Sequence, residues 1–274
     1  MAMKRASQIA AFALGLFWMA TGAVKPLASQ ESVSQEHLGL EDAIAQSDSS
    51  PNLTSVLQYT PPRDLDAPRG RKHTSGRDNC PEVKKPLIAL VPERYVALTT
   101  DAYPTFWYYI PYAATDVQSA TLVVWNERQA KVSESTFPVE HTPGIVSIRL
   151  PQSPSASDSA LAVDKRYDVD FSLTCKTAGT GSGSQPGVRI RVKRVTPDPD
   201  LGRQIAAART PRQRYFLYAG HSLWLDALTE LANRRRKKPR NRKIAADWQH
   251  LLNDSDVLLE EVASEELVSC CSLD

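Results

Sequence analysis

Between Pro86 and Val195 apolar and polar residues take turns at a period of two, in short runs broken by Pro, Gly, Asn and Asp. That is the pattern of half-buried strands joined by turns. The clearest run is Tyr167 to Cys175, where Tyr167, Val169, Phe171, Leu173 and Cys175 alternate with Asp168, Asp170, Ser172 and Thr174. Successive side chains on a strand point to opposite faces, so one set meets a core and the other meets water. Val188, Ile190 and Val192 alternate with Arg189, Arg191 and Lys193 in the same way, and the Gly/Ser-rich stretch from Ala178 to Pro186 between the two runs reads as an open hairpin loop. Leu87–Val91, Tyr95–Thr99, Thr105–Ile110, Ala120–Trp125, Lys131–Thr136 and Ile145–Leu150 bring the predicted strands to eight. No helical period of adequate length separates them, which argues against a parallel sheet with crossover helices. The expected fold class is mainly β, an antiparallel β-sandwich of Ig-like kind.

After Pro197 the period lengthens. Trp224, Leu228 and Leu231 recur at spacings of four and three, which predicts a helix over about Leu223–Arg236 with Ser222 as its N-cap. Pro239 interrupts it, and Ile244, Trp248, Leu251 and Leu252 then share one face of a second short helix, with a third, weak one over Asp256–Leu267. An apolar stripe needs a partner, so these helices are expected as a small C-terminal layer on the β core or on each other.

At the other end, Lys4 and Arg5 precede an apolar stretch from Ile9 to Ala20 and small residues around Ala23 and Ala28, the order of a secretory signal peptide. The stretch is shorter than the ~20 residues a spanning helix needs. Residues 1–28 therefore read as a signal peptide, the protein as exported to a periplasmic or extracellular location, and the cleaved chain as lacking a transmembrane span. Residues 29–79 are rich in Ser, Gln, Asp, Pro and Arg without an apolar period, and read as a flexible polar tether. Within it Asn52-Leu53-Thr54 fits a glycosylation acceptor. Residues 80–253 are expected to form a single domain, and 254–274 a weakly helical or disordered tail.

Composition adds two constraints. Loss of residues 1–28 removes three of the 33 basic residues and none of the 31 acidic ones, leaving a near-neutral chain with no global pull toward nucleic acid. The four cysteines are Cys80, Cys175, Cys270 and Cys271. In an oxidising compartment a disulfide persists, which favours a Cys80–Cys175 bridge over the alternative of two buried free thiols. The adjacent Cys270 and Cys271 read as disordered or intermolecular rather than metal-binding.

Several segments carry a family resemblance: PPRDLDAPRG with SGRDNC, LIALVPE, LTTDAYPTFWYYIPY, TPGIVSIRLP, KRYDVDFSLTC, and WLDALTELANRRRKKP with DWQHLL. In order and wording they resemble the domain of unknown function family numbered 928, known chiefly from cyanobacteria, over about Pro61 to Asn253. The resemblance implies a kind of exported protein rather than an activity. It supports the Cys80–Cys175 pairing, because the family's two cysteines sit at those places. Leu225 departs from the aromatic residue expected beside Trp224, which weakens an aromatic binding surface on that helix.

Candidate chemistry is sparse. His37, His73, His141, His221 and His250 have no second ligand at metal spacing, and Gly179, Gly181 and Gly183 match neither a P-loop nor a nucleophile elbow. No cofactor is called for. Alternation along TFWYYIPY sends Trp107 and Tyr109 to the face opposite Phe106, Tyr108 and Ile110, so an exposed face there would offer aromatic rings to a sugar or a protein partner, while a central strand would bury both faces. The strongest charge run is Arg234, Arg235, Arg236, Lys237, Lys238, Arg240, Arg242 and Lys243. Cations at a helix C-terminus are favoured by its dipole, but the run exceeds that need and points to an anionic polymer or membrane surface. Asp226 and Glu230, one turn apart, read as surface carboxylates, with Glu230 linked to Arg234 at i, i+4. The sequence thus predicts a non-enzymatic interaction module for an unknown protein or envelope polymer. Two alternatives stand beside it: an envelope-carbohydrate hydrolase whose carboxylates meet only in the fold, and an anionic-surface binder using the 234–243 run.

Overall fold

The computed structural model describes residues 56–63, 66, 70–73, 80–152, 161–176 and 185–271. The signal-peptide segment, most of the predicted tether with Asn52, and the glycine-rich loop over 177–184 lie outside the described residues. Among the described residues the fold is mainly β, with two sheets of three and five strands and four α-helices.

The strands are β1 (Ile88–Ala89), β2 (Ala97–Thr99), β3 (Thr105–Ile110), β4 (Val117–Asn126), β5 (Lys131–Phe137), β6 (Gly144–Arg149), β7 (Arg166–Cys175) and β8 (Gly187–Arg194). They coincide with the eight predicted runs, shifted by a few residues at the ends. The three-stranded sheet has the order β1-β3-β6 and the five-stranded sheet the order β2-β8-β7-β4-β5. All pairings are antiparallel except β2 with β8. That exception corrects the all-antiparallel expectation: β2 and β8 are far apart in the chain, and a long connection permits either direction.

The β7–β8 register explains the two alternating sequences together. Asp168 lies opposite Arg191 and Asp170 opposite Arg189, so the polar faces of the two strands are complementary in charge. Arg191 Nε and Nη2 donate to the two carboxylate oxygens of Asp168 at 2.8 and 3.2 Å. Arg189 grips Asp170 likewise at 2.5 and 2.6 Å. On the other face Tyr108 of β3 stacks on Phe171 of β7, with ring centroids 4.0 Å apart, which brings the two sheets together.

The helices are α1 (Pro199–Ala207), α2 (Pro211–Gly220), α3 (Trp224–Lys237) and α4 (Arg242–Leu252). The sequence reading finds the last two and misses the first two, although both start at a cap-proline pair. Asp198 accepts from the Leu201 N–H ahead of α1, and Thr210 forms a capping box with Gln213 ahead of α2. Ser222 does not cap α3: it has a φ of 64°, and the N-cap position falls to Leu223 without a side-chain bond. The third predicted helix is a 3₁₀ turn at Glu260–Val262.

Both flanks of the predicted domain join the core. Leu57 and Tyr59, from the stretch read as tether, are buried, and Tyr59 packs edge-on to Trp224 with centroids 5.1 Å apart. From the same stretch Arg71 is only 4% exposed. At the C-terminal end Val257, Leu259, Val262 and Ala263 are buried, and residues 266–268 pair along β6, the Ile145 N–H donating to Glu266 O at 2.7 Å and the Val268 N–H to Ile145 O at 2.9 Å. Isolated apolar residues among polar neighbours make these segments look like linker, and their burial depends on distant grooves that sequence periodicity does not register.

Cys80 and Cys175 form a disulfide, with their Cα atoms 5.4 Å apart. Cys270 and Cys271 also form one, with each other, in place of the intermolecular or disordered state expected of them. No helix among the described residues is long and apolar enough to cross a membrane.

Candidate functional site

The two aromatic residues singled out on β3 are buried. Trp107 is 2% exposed and Tyr109 is 6% exposed, because β3 lies between β1 and β6 and has no polar position from Phe106 to Ile110. The Trp107 indole N–H donates to Thr229 Oγ1 of α3 at 3.0 Å, and the Arg236 guanidinium lies over its ring at 4.7 Å. These rings therefore present no stacking platform to a ligand. Leu225, the departure from the family pattern, is buried as well.

The basic run separates into two groups, because α3 carries it around the helix. Arg235 prolongs the buried stripe of Trp224, Leu228 and Leu231 by one more step of four, and Arg236 follows Leu225, Thr229 and Ala232 on the neighbouring face. Both turn inward. Arg236 donates from Nη1 to Ser147 Oγ of β6 at 2.8 Å and from Nη2 to Val268 O at 3.0 Å. Arg235 lies over the Trp248 ring at 4.8 Å, and its Nη1 is buried without a hydrogen-bond partner. Burial pulls both guanidinium groups below the ordinary arginine range. Arg234 is half-buried, while Lys237, Lys238, Arg240, Arg242 and Lys243 are exposed at the turn from α3 to α4. Among the described residues none of these six forms an ion pair.

Beside this turn lies a cavity of about 480 Å³ lined by Arg235, Arg236, Pro239, Glu266, Leu267 and Ser269. One wall is the last turn of α3. The other is the segment that β6 holds through Ile145. Gly144 lets that segment approach, since a Cβ there would sit 2.8 Å from Val268 Cγ1 and 3.0 Å from Glu266 O. Sequence reasoning finds the cations but not this wall, whose residues are distant from β6 in the chain and carry no motif. The continuation of the α3 stripe to Arg235 is the one signal that reveals an inward arginine.

Two other clefts hold charged groups. Asp101, Asp226 and Glu230 line a cleft of about 140 Å³ with Tyr218 and Thr229. Asp226 accepts from the Thr100 hydroxyl at 2.6 Å and the Thr100 N–H at 3.1 Å. Burial raises its carboxyl above the usual carboxylate range, against those bonds. Glu230 pairs with Arg214 of α2 at 2.8 Å, not with Arg234 as its spacing suggests, because Arg214 approaches from the adjacent helix. Asp101 pairs with Arg149 at 3.1 Å. The second cleft, about 230 Å³, sits by the turn after β4 and sets Asp66, Glu127 and Asp168 against Arg166 and Arg191. Desolvation raises the Asp168 pKa, but the Arg191 bonds outweigh it and hold the carboxyl low. Arg166 and Arg191 pair with Asp66 and Asp168 within this network, while Glu127 accepts from the Arg166 backbone N–H at 3.2 Å.

Of the histidines, the His73 ring meets the Gly187 backbone at 3.3 Å and His221 caps its own helix on Leu217 O at 2.9 Å. Among the described residues no three His, Cys, Asp or Glu side chains gather as metal ligands would.

A family model described as Domain of Unknown Function (DUF928) matches residues 67–267. No curated protein matches the chain. The matched span runs from ahead of Arg71 to Leu267, taking in both sheets, all four helices and most of the cavity wall, and on that extent the chain belongs to the DUF928 family.

Proposed function

We propose that this protein is an exported, non-enzymatic binding module of the cell envelope that takes an anionic polysaccharide on the turn between α3 and α4. The observation that carries the reading is the group of six cations at that turn, Arg234, Lys237, Lys238, Arg240, Arg242 and Lys243, with no carboxylate paired to them among the described residues. Structural salt links would consume such charges, as they do on β7 and β8. Unpaired clustered cations attract a polyanion, and the attraction weakens as salt shortens its range, from a Debye length of about 10 Å at 0.1 M.

A polymer fits better than a bilayer. Binding to a lipid interface draws on exposed apolar side chains as well as charge, and the large apolar residues open to water among the described ones are Val56 and Val163, neither at this turn. The Cys80–Cys175 bridge supports export, since such bonds persist in oxidising compartments. The two sheets are read as an Ig-like sandwich, with the helices as the layer that holds the cationic turn in place.

The carboxylate cleft favours no hydrolase. Its 140 Å³ is well below the ~300 Å³ at which small-molecule pockets begin, and Asp101, Asp226 and Glu230 are each held by a structural partner. The test is retention of the mature protein on immobilised polyuronate beside neutral dextran. Retention on the acidic gel, eluted by salt and lost when Lys237, Lys238, Arg240 and Arg242 become Ala, is expected. Equal retention on both gels would remove the reading.

A further inference from the structure

The cavity beside the cationic turn has chemistry of its own. Arg235 and Arg236 both line it. Arg236 is committed to Ser147 and to Val268 O, which leaves Arg235 as the one with an unmet donor, Nη1. A buried N–H without an acceptor costs roughly 1–3 kcal/mol, so the fold keeps this arrangement at a loss that an incoming acceptor recovers. Glu266 lines the cavity too, so two arginines and one carboxylate leave the lining a formal charge of +1. The cavity is therefore matched to a single negative charge rather than to a dianion such as a phosphate monoester. Its volume of about 480 Å³ falls in the ~300–1,000 Å³ range of small-molecule pockets, ample for a sugar-sized group, and Ser269 is among its lining residues.

We propose that this cavity seats one monoanionic sugar unit of the polymer, a uronate or a sulfate ester, with its oxyanion on the guanidinium of Arg235. The proposal rests on the polysaccharide reading above and supplies its specificity: the exposed cations attract the chain, and the cavity selects one unit. On binding, the guanidinium turns on the face of Trp248 to bring Nη1 to the oxyanion, and Arg presents the planar fork that such groups accept. Because the guanidinium lies 4.8 Å over that indole, occupancy changes tryptophan emission.

The experiment is a fluorescence titration of the mature protein, at constant ionic strength, with glucuronate, glucose 6-sulfate and neutral glucose as separate probes. A saturable change with glucuronate, glucose 6-sulfate or both, and none with glucose, is expected; the stronger of the two anions identifies the source. Arg235→Gln loses the response by about tenfold or more in affinity, while Arg235→Lys, which keeps the charge over Trp248 but not the fork, retains part of it. No response to either anion, an equal response to glucose, or native affinity in a folded Arg235→Gln protein would overturn the proposal. Replacing Lys237 and Lys238 by Ala separates the two ideas: it weakens retention on polyuronate and leaves the monosaccharide response intact. If polymer retention fails while glucuronate still binds through Arg235, the polymer reading falls and the cavity stands as a small-anion site.

Discussion

Replacing Arg71 by Met keeps an apolar stem and deletes the guanidinium, and the structure gives a definite size for the loss. Arg71 is 4% exposed. It donates from Nη1 to Val91 O at 2.7 Å and to Val257 O at 2.6 Å, and from Nη2 to Leu258 O at 2.5 Å. Three chain segments thus meet on one side chain. Hydrogen bonds to charged groups contribute about 1.5–3 kcal/mol each, so three would give roughly 4.5–9 kcal/mol gross. Against this, burial disfavours the cation and lowers its pKa, with Glu93, Glu261 and Glu260 opposing from farther away; Glu93 stands at 3.8 Å. Desolvation of one ion costs several kcal/mol, and the net loss on deletion comes to about 3–5 kcal/mol, since three backbone carbonyls lose their donor at roughly 1–3 kcal/mol each while the cost of burying the cation disappears. That is a large part of the 5–15 kcal/mol typical of a domain. Urea unfolding followed by circular dichroism should show a lower midpoint with an unchanged slope, and Arg71→Lys should fall between. A change below about 1 kcal/mol would refute the clamp and return residues 70–73 to the role of a linker.

The other perturbations are smaller or more local. Removing the Cys80–Cys175 bridge by double substitution to Ala releases a loop of 95 residues and should cost about 4–5 kcal/mol in the chain-entropy model; an unchanged unfolding midpoint would contradict it. The folded state holds the Asp226 proton to higher pH than the unfolded chain does. The stability tied to that proton is therefore complete below the ordinary carboxylate value near ~3.9 and is lost as pH rises through the raised value. The stability of the native protein relative to Asp226→Asn should accordingly fall with rising pH across that window, and a rise would refute the assignment. Gly144→Ala forces a Cβ against Val268 and Glu266 O, and should speed amide exchange at Val268 by about tenfold or more while leaving the β7–β8 amides protected. Equal exchange at Val268 would show that the segment yields without cost.

Much of the β architecture is legible in the sequence because alternation and register enforce each other. Asp168 and Asp170 on one run and Arg189 and Arg191 on the next are complementary in sign and spacing, and the fold sets them opposite one another. The unbroken apolar run of Phe106–Ile110 is legible as a strand but ambiguous as to its faces, since a platform for ligands and a strand buried on both sides share the same letters. Helices α1 and α2 are short, and their apolar positions are too few to set a period; the information lies in the caps at Asp198 and Thr210. The ordered flanks are not legible at all. Tyr59, Arg71 and Val257 gain their partners from contacts nearly two hundred positions away, and no local pattern records such a contact. The basic run is visible as charge, whereas its division into buried and exposed members follows from the 3.6-residue turn of α3.

The most direct test of an anionic-polymer module is the equilibrium affinity of the mature protein for a soluble polyuronate as a function of salt. The affinity should fall steeply and linearly in log–log form as sodium chloride rises, and the slope should flatten when Lys237, Lys238, Arg240 and Arg242 are replaced by Ala. An affinity indifferent to salt, or a slope untouched by those four substitutions, would contradict it.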